Sequence, residues 1–172
     1  QLKAAGYTAS ELQVALYTIA NLTGAGYTTA EIAAAGYSVT LLSATPSTYT
    51  ASVLRTAGYS VSQLRYVSSV YTDALIFAGG YTASQWKTDG LSASIVKAAG
   101  YTISNLQSAG YSITELKNAN YADDLIASAG YTATQLKASS FTAAQLKNAN
   151  FTATQLKAAG YTASELQVAL YT

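Results

Sequence analysis

The chain has 172 residues, half of them hydrophobic and only 10% charged, with nine Lys/Arg against eight Asp/Glu for a net charge of +1. It contains no Cys, Met or His, which excludes a disulfide framework, a thiolate metal site and catalysis by a cysteine or histidine. Near-neutral charge argues against a nucleic-acid partner, because phosphate binding needs a basic surface. No run approaches the roughly 18 apolar residues of a membrane span. Neither an initiator Met nor a signal peptide is present, so the sequence reads as a processed or excised piece of something. Its length would allow one domain with a substantial core.

An aromatic recurs every ten residues: Tyr7, Tyr17, Tyr27 and Tyr37, then Tyr49 and Tyr59, then Tyr71 and Tyr81. After Leu91 the series continues as Tyr101, Tyr111, Tyr121, Tyr131, Phe141, Phe151, Tyr161 and Tyr171. Two spacings are twelve, Tyr37 to Tyr49 and Tyr59 to Tyr71. Numbering each repeat from its aromatic, position 2 is Thr or Ser everywhere except Ala122, and position 6 is always apolar, as in Leu12, Leu22, Leu106 and Leu116. All nine basic residues occupy position 7, and position 10 is mostly Gly, with Asn120 and Asn150 as substitutes. A fixed period of this kind marks a repeat architecture.

Each position has a physical reason. Thr or Ser at position 2 is a helix N-cap, whose hydroxyl accepts an orphaned backbone N–H; Thr8 and Thr132 are examples. Position 5 is then the third helical residue, and its Glu or Gln completes a capping box, as in Thr8–Glu11, Thr28–Glu31 and Thr162–Glu165. Gly at position 10, such as Gly36 and Gly100, takes the left-handed conformation that ends a helix. The predicted elements are therefore short helices over positions 3 to 9, one per repeat, about two turns each. The aromatic at position 1 sits where a C-terminal apolar contact and an N-terminal hydrophobic staple both point to position 6. Tyr7, Leu12, Tyr17, Leu22, Tyr27, Leu106, Tyr111 and Leu116 are accordingly candidate core, with Tyr17 expected to bridge Leu12 and Leu22.

Along the chain, Pro46 falls in the first long link, Ser43 to Thr48, where it should stop a helix. The second long link, Arg65 to Val70, carries Tyr66 and Val67 out of register. Trp86 replaces Leu at position 6 as a local core swap. Asp123 and Asp124 follow the missing cap at Ala122, and Asp123 is expected to take over capping; two adjacent acids do not build a divalent-metal shell. The position-7 bases should form a solvated stripe that complements each helix dipole, with a basic binding surface as the alternative.

Helices this short are not stable alone, so stability must be collective. The expected fold is all-α: a solenoid of about two-turn helices, two to four per turn and most simply three, a count the period alone does not settle. Residues 1–18 and 155–172 are identical, and the shared segment includes Leu16 and Leu170, where Gly is the rule. The offset is 154 residues. We expect one continuous solenoid over 1–172, a window on an array that repeats with that period.

The motif A-G-Y-T-A-x-x-L-K, running through the whole chain, resembles the short tandem decapeptide arrays of large microbial and giant-virus surface or repeat proteins. The resemblance implies a helical-repeat array and carries no catalytic or ligand residues. The sequence also has no phosphate-binding glycine motif and no nucleophile elbow, so neither an enzyme nor a cofactor is expected. The expected function is structural, an extracellular or cell-surface filament assembled from self-contacts, because low charge density favours association. The alternative is an adhesion-type solenoid that binds a protein or glycan through its polar stripe.

Overall fold

A computed structural model of the chain describes residues 1–170. Its elements are sixteen short helices and, among the described residues, no strand. In chain order they are α1 (Ala9–Val14), α2 (Ile19–Gly24), α3 (Thr29–Ala34), α4 (Val39–Leu42), α5 (Ala51–Thr56), α6 (Val61–Arg65), α7 (Asp73–Ala78) and α8 (Ala83–Thr88). These lie in a first compact unit, 1–89. The second unit, from Gly90 onward, holds α9 (Ala93–Ala98), α10 (Ile103–Ser108), α11 (Ile113–Asn118), α12 (Asp123–Ala127), α13 (Ala133–Ala138), α14 (Ala143–Asn148), α15 (Ala153–Ala158) and α16 (Ala163–Val168).

One helix per repeat follows from the caps. The Thr8 hydroxyl accepts from the Glu11 N–H at 3.2 Å while the Glu11 carboxylate accepts from the Thr8 N–H at 2.7 Å. Thr132 and Gln135 form the same reciprocal pair. The box extends to a residue type the sequence rule omits, because Asn21 and Asn105 also close it. Their shorter side chains still reach, with Thr18 N–H donating to the Asn21 amide oxygen at 3.0 Å. At α12 the cap is missing, and Asp123 does not replace it. Its carboxylate instead accepts from the Gln145 amide at 2.9 Å and lies 3.8 Å from Lys117, so it is turned toward its neighbours and away from its own helix end.

Helices that lead into a ten-residue spacing stop in a left-handed turn, with a double backbone closure at α1; α4 and α6, which lead into the long links, do not. The Leu16 N–H donates to the Gln13 carbonyl and the Tyr17 N–H to the Leu12 carbonyl, both at 2.9 Å. These are the two bonds of the Schellman motif, and they require a left-handed residue at position 10. Gly36 has φ +89 and Gly100 φ +108. Leu16, Asn120, Ser140, Asn150 and Leu170 adopt the same conformation without being glycine, Leu16 at φ +65.

Within each unit, a helix packs on the helix two along: α1 on α3, α3 on α5, α5 on α7 and α6 on α8, then α9 on α11, α13 on α15, α12 on α14 and α14 on α16. The coil therefore closes after two helices, the lower end of the expected two to four. The reason lies in the tyrosine. The Tyr27 hydroxyl donates to the Tyr7 carbonyl, Tyr37 to Tyr17, and Tyr71 to Tyr49 at 2.5 Å. In the second unit Tyr111 donates to Leu91 at 2.7 Å and Tyr161 to Phe141 at 2.5 Å. Each ring spans to the turn before, so its polar tip satisfies a carbonyl while its body is buried.

Position 6 lines the interior. Leu22, Leu106 and Leu116 are wholly buried, Leu12 nearly so, and Trp86 fills the same slot without exposure. Tyr27 and Tyr111 are buried as well. Tyr7 and Tyr17 are not core: Tyr7 is 52% exposed. α5 and α7 approach closely at Gly79, where a Cβ would lie 2.7 Å from the Ala51 Cβ.

Candidate functional site

The charged stripe is the first candidate, and the structure assigns it a different role from the solvated one expected. Lys3 donates to the Gly26 carbonyl at 3.0 Å, pairs with Glu31 at 2.8 Å, and sits 5.0 Å from the centre of the Tyr27 ring. Lys97 donates to the carbonyls of Ala119 and Asn120 and lies 4.2 Å over Tyr121. Lys117 reaches the Ser139 carbonyl and the Phe141 ring; Lys137 reaches the Gly160 carbonyl, the Tyr161 ring and, at 3.8 Å, Glu165. Arg55 does the same at the Gly79 carbonyl. Each cation thus caps the C-terminal end of the helix one turn further on, where the dipole is negative, and stacks on the aromatic that follows it. Sequence reasoning missed this because it assigned each base to its own helix. The signal that could have found it is the base one turn before an aromatic, as in Lys3 and Tyr27, Lys97 and Tyr121, and Lys137 and Tyr161.

The electrostatics follow from the clamp. The Lys3 ammonium and the Thr28 N–H hold the Glu31 carboxyl down to about 2. Glu11 and Glu165 are also lowered, chiefly by the backbone N–H of Thr8 and of Thr162. All three carboxylates serve in helix capping, and Glu31 and Glu165 also face a clamping lysine. Among the described residues no group of three or more acidic side chains is placed to hold a metal ion.

Apolar surface is the second candidate. Leu16 is 89% exposed, and Val14, Tyr17 and Leu41 are exposed near it. Leu16, Tyr17, Ile19, Ala20, Tyr37 and Leu41 line a groove of about 410 Å³. Leu41 stands at position 5, where most repeats carry the capping acid or amide, so its side chain faces outward with no backbone N–H to bind. The duplicate pair Val168 and Leu170 is exposed in the same way.

The two long links are the third. They follow α4 and α6, two helices apart, so two-apart stacking brings them together. Pro46 from the first and Val70 and Tyr71 from the second line a groove of about 240 Å³ with Leu75 and Gly79. Arg65 bridges the second link by pairing with Asp73 at 2.8 Å. Tyr66 stands at its crest, 83% exposed.

A family model for the decapeptide repeat region matches residues 48–123, 80–139 and 121–172. The chain belongs to the decapeptide repeat family. No match of significance was found among curated proteins or among solved structures. Residues 1–47 of this decapeptide-repeat chain lie outside the matched segments, yet Thr8, Thr18 and Thr28 cap α1 to α3 there as their counterparts do elsewhere. No helix among the described residues is long and apolar enough to cross a membrane.

Proposed function

We propose that the chain is a structural repeat protein that builds an extracellular or cell-surface filament by self-association. The observation that carries this reading is the direction of the inter-turn bonds. The inter-turn tyrosine hydroxyl bonds run one turn back and the cation clamps one turn forward, as with Tyr27 to Tyr7 and Lys97 to Asn120. Bonds of one sense, repeated without change, let turns be added indefinitely, which is the logic of an open helical assembly. The duplication of residues 1–18 at 155–172 adds to it, and so does low charge density. A chain without thiols or thioethers also suits oxidising surroundings. On this reading the protein has no enzymatic activity, cofactor or nucleic-acid partner; cations such as Lys97, Lys117 and Lys137 are engaged on its own carbonyls and rings.

A recognition solenoid is the second reading, and the exposed groove at Leu16 and Leu41 favours it. It would dock a protein partner through apolar contact and not through the polar stripe, which the clamps occupy. Electron microscopy of the purified chain discriminates the two. Filaments that lengthen with concentration support the structural reading; discrete particles of constant size sink it.

A further inference from the structure

We propose that Asn150 is an acceptor for N-linked oligosaccharide, carried on the left-handed turn between α14 and α15. The inference rests on the cell-surface part of the reading above, because the sugar donor is met on the route to that surface. Two Asn-x-Thr triplets occur in the chain, Asn21-Leu22-Thr23 and Asn150-Phe151-Thr152. Such a triplet is what the transferase reads, and it must be offered on an accessible surface segment. The structure separates the two.

Asn150 lies between the end of α14 and the start of α15, at φ +66, and is exposed. Its backbone N–H closes α14 on the Lys147 carbonyl at 2.9 Å, and its side chain enters no hydrogen bond among the described residues. Thr152 is exposed and extended, with φ −80 and ψ 155. Its hydroxyl accepts from the Gln155 N–H at 3.2 Å and donates to the Gln155 amide oxygen at 3.0 Å, both at the surface. The other triplet is built into α2. The Asn21 amide oxygen accepts from the Thr18 N–H at 3.0 Å and from the Thr18 hydroxyl at 2.7 Å. Leu22 is wholly buried, and the Thr23 hydroxyl donates to the Ile19 carbonyl at 2.9 Å. Taking Asn21 into a transferase would unwind α2 and draw Leu22 from the core. Taking Asn150 would disturb only a turn and the surface cap of α15.

In the transfer, the Asn150 Nδ2 forms a bond to the anomeric carbon of a polyprenyl-pyrophosphate oligosaccharide. The bond from that carbon to the pyrophosphate oxygen breaks, the polyprenyl pyrophosphate leaves with the electron pair, and the amide gives up one proton. Every left-handed residue at position 10, glycine or not, is exposed among the described residues, so a sugar there projects from the coil and leaves its interior untouched. Asn120 occupies the same turn at φ +54, but Ala122 stands where its triplet needs a hydroxyl.

The test is to send the full chain, behind a signal sequence, through the secretory route of cultured eukaryotic cells and to map glycans on both the secreted and the cell-retained protein. Enzymatic release in heavy-oxygen water converts each glycosylated Asn to a labelled Asp, which peptide mass spectrometry locates. Asn150→Gly keeps the left-handed turn, as Gly110 and Gly160 do, and Ala122→Thr completes the triplet at Asn120 while supplying the missing cap of α12. Occupancy at Asn150 severalfold above that at Asn21, lost in Asn150→Gly, with a new glycan at Asn120 in Ala122→Thr, supports the proposal. An unmodified Asn150 overturns it, and so does equal labelling of Asn21, which would leave the turn without a role. Electron micrographs of the same material read the filament separately: filaments of an unglycosylated chain sink this site alone, and discrete glycosylated particles sink the filament alone.

Discussion

At the scale of single residues, the repeat separates groups that carry burial from groups that carry geometry. Leu116 is wholly buried at position 6, so Leu116→Ala should cost about 2–5 kcal/mol in denaturant unfolding, the range for a core leucine. Tyr71→Phe keeps the ring and deletes one hydrogen bond to the Tyr49 carbonyl, which should cost only about 1 kcal/mol. Phe141 and Phe151 at the same position show that the ring is tolerated without its hydroxyl. Leu16 behaves in the opposite sense. It holds φ +65 with its side chain in solvent, so Leu16→Gly should stabilise by up to about 1 kcal/mol. Stabilisation with loss of association or partner binding would mark Leu16 as a residue kept for contact. A loss of stability would mean its side chain packs against something in the fold.

At the scale of the helix and its neighbours, two-apart stacking sets what each short element can tolerate. α5 and α7 meet where Gly79 faces Ala51, with no room for a methyl group. The crowding involves the Ala51 backbone as well, at 2.9 Å, so relief requires a helix shift. Gly79 has an ordinary helical φ of −70, and its substitution therefore tests packing without left-handed strain. Gly79→Ala should destabilise by about 1–3 kcal/mol, the usual range for overpacking, and the loss should appear first as faster hydrogen exchange in α5 and α7. Unchanged exchange there would show that the stack is looser than its geometry indicates. The long links obey the same rule. A twelve-residue repeat is accommodated because another lies two repeats away, and Pro46 and Val70 fill the space they open together.

For the whole molecule, the tyrosines act as one pH-sensitive system. Burial raises Tyr37, Tyr49, Tyr59, Tyr71, Tyr81, Tyr121, Tyr131 and Tyr161, and pushes Tyr111 up to about 12. A phenol whose folded pKa lies above its unfolded value of about 10 favours the folded state fully below pH 10. That contribution is lost as pH rises toward the folded value. The chain should therefore unfold cooperatively between about pH 10 and 12, with tyrosinate absorbance and helical circular dichroism changing together. Tyrosinate appearing well before helix loss would contradict the buried ladder. On the acid side the sign reverses: Glu31, held near 2, supports the fold above its unfolded value of about 4.3, and that support fades as pH falls toward 2.

What the sequence by itself determined is most of what is local to one repeat; the cap expected of Asp123 is the exception. The Thr8–Glu11 box, the left-handed Gly36 and Gly100, and the buried Leu22, Leu106 and Leu116 all depend on residues within one decapeptide of each other, and short-range chemistry dictates them. The tertiary structure alone decided what lies one turn away. Two helices per turn, lysines that cap the helix two along, and the Tyr27 hydroxyl on the Tyr7 carbonyl all follow from how the links stack. A ten-residue period states that successive helices are equivalent. It does not state the angle between them, which emerges only when rings, cations and carbonyls of separate turns must satisfy one another at once.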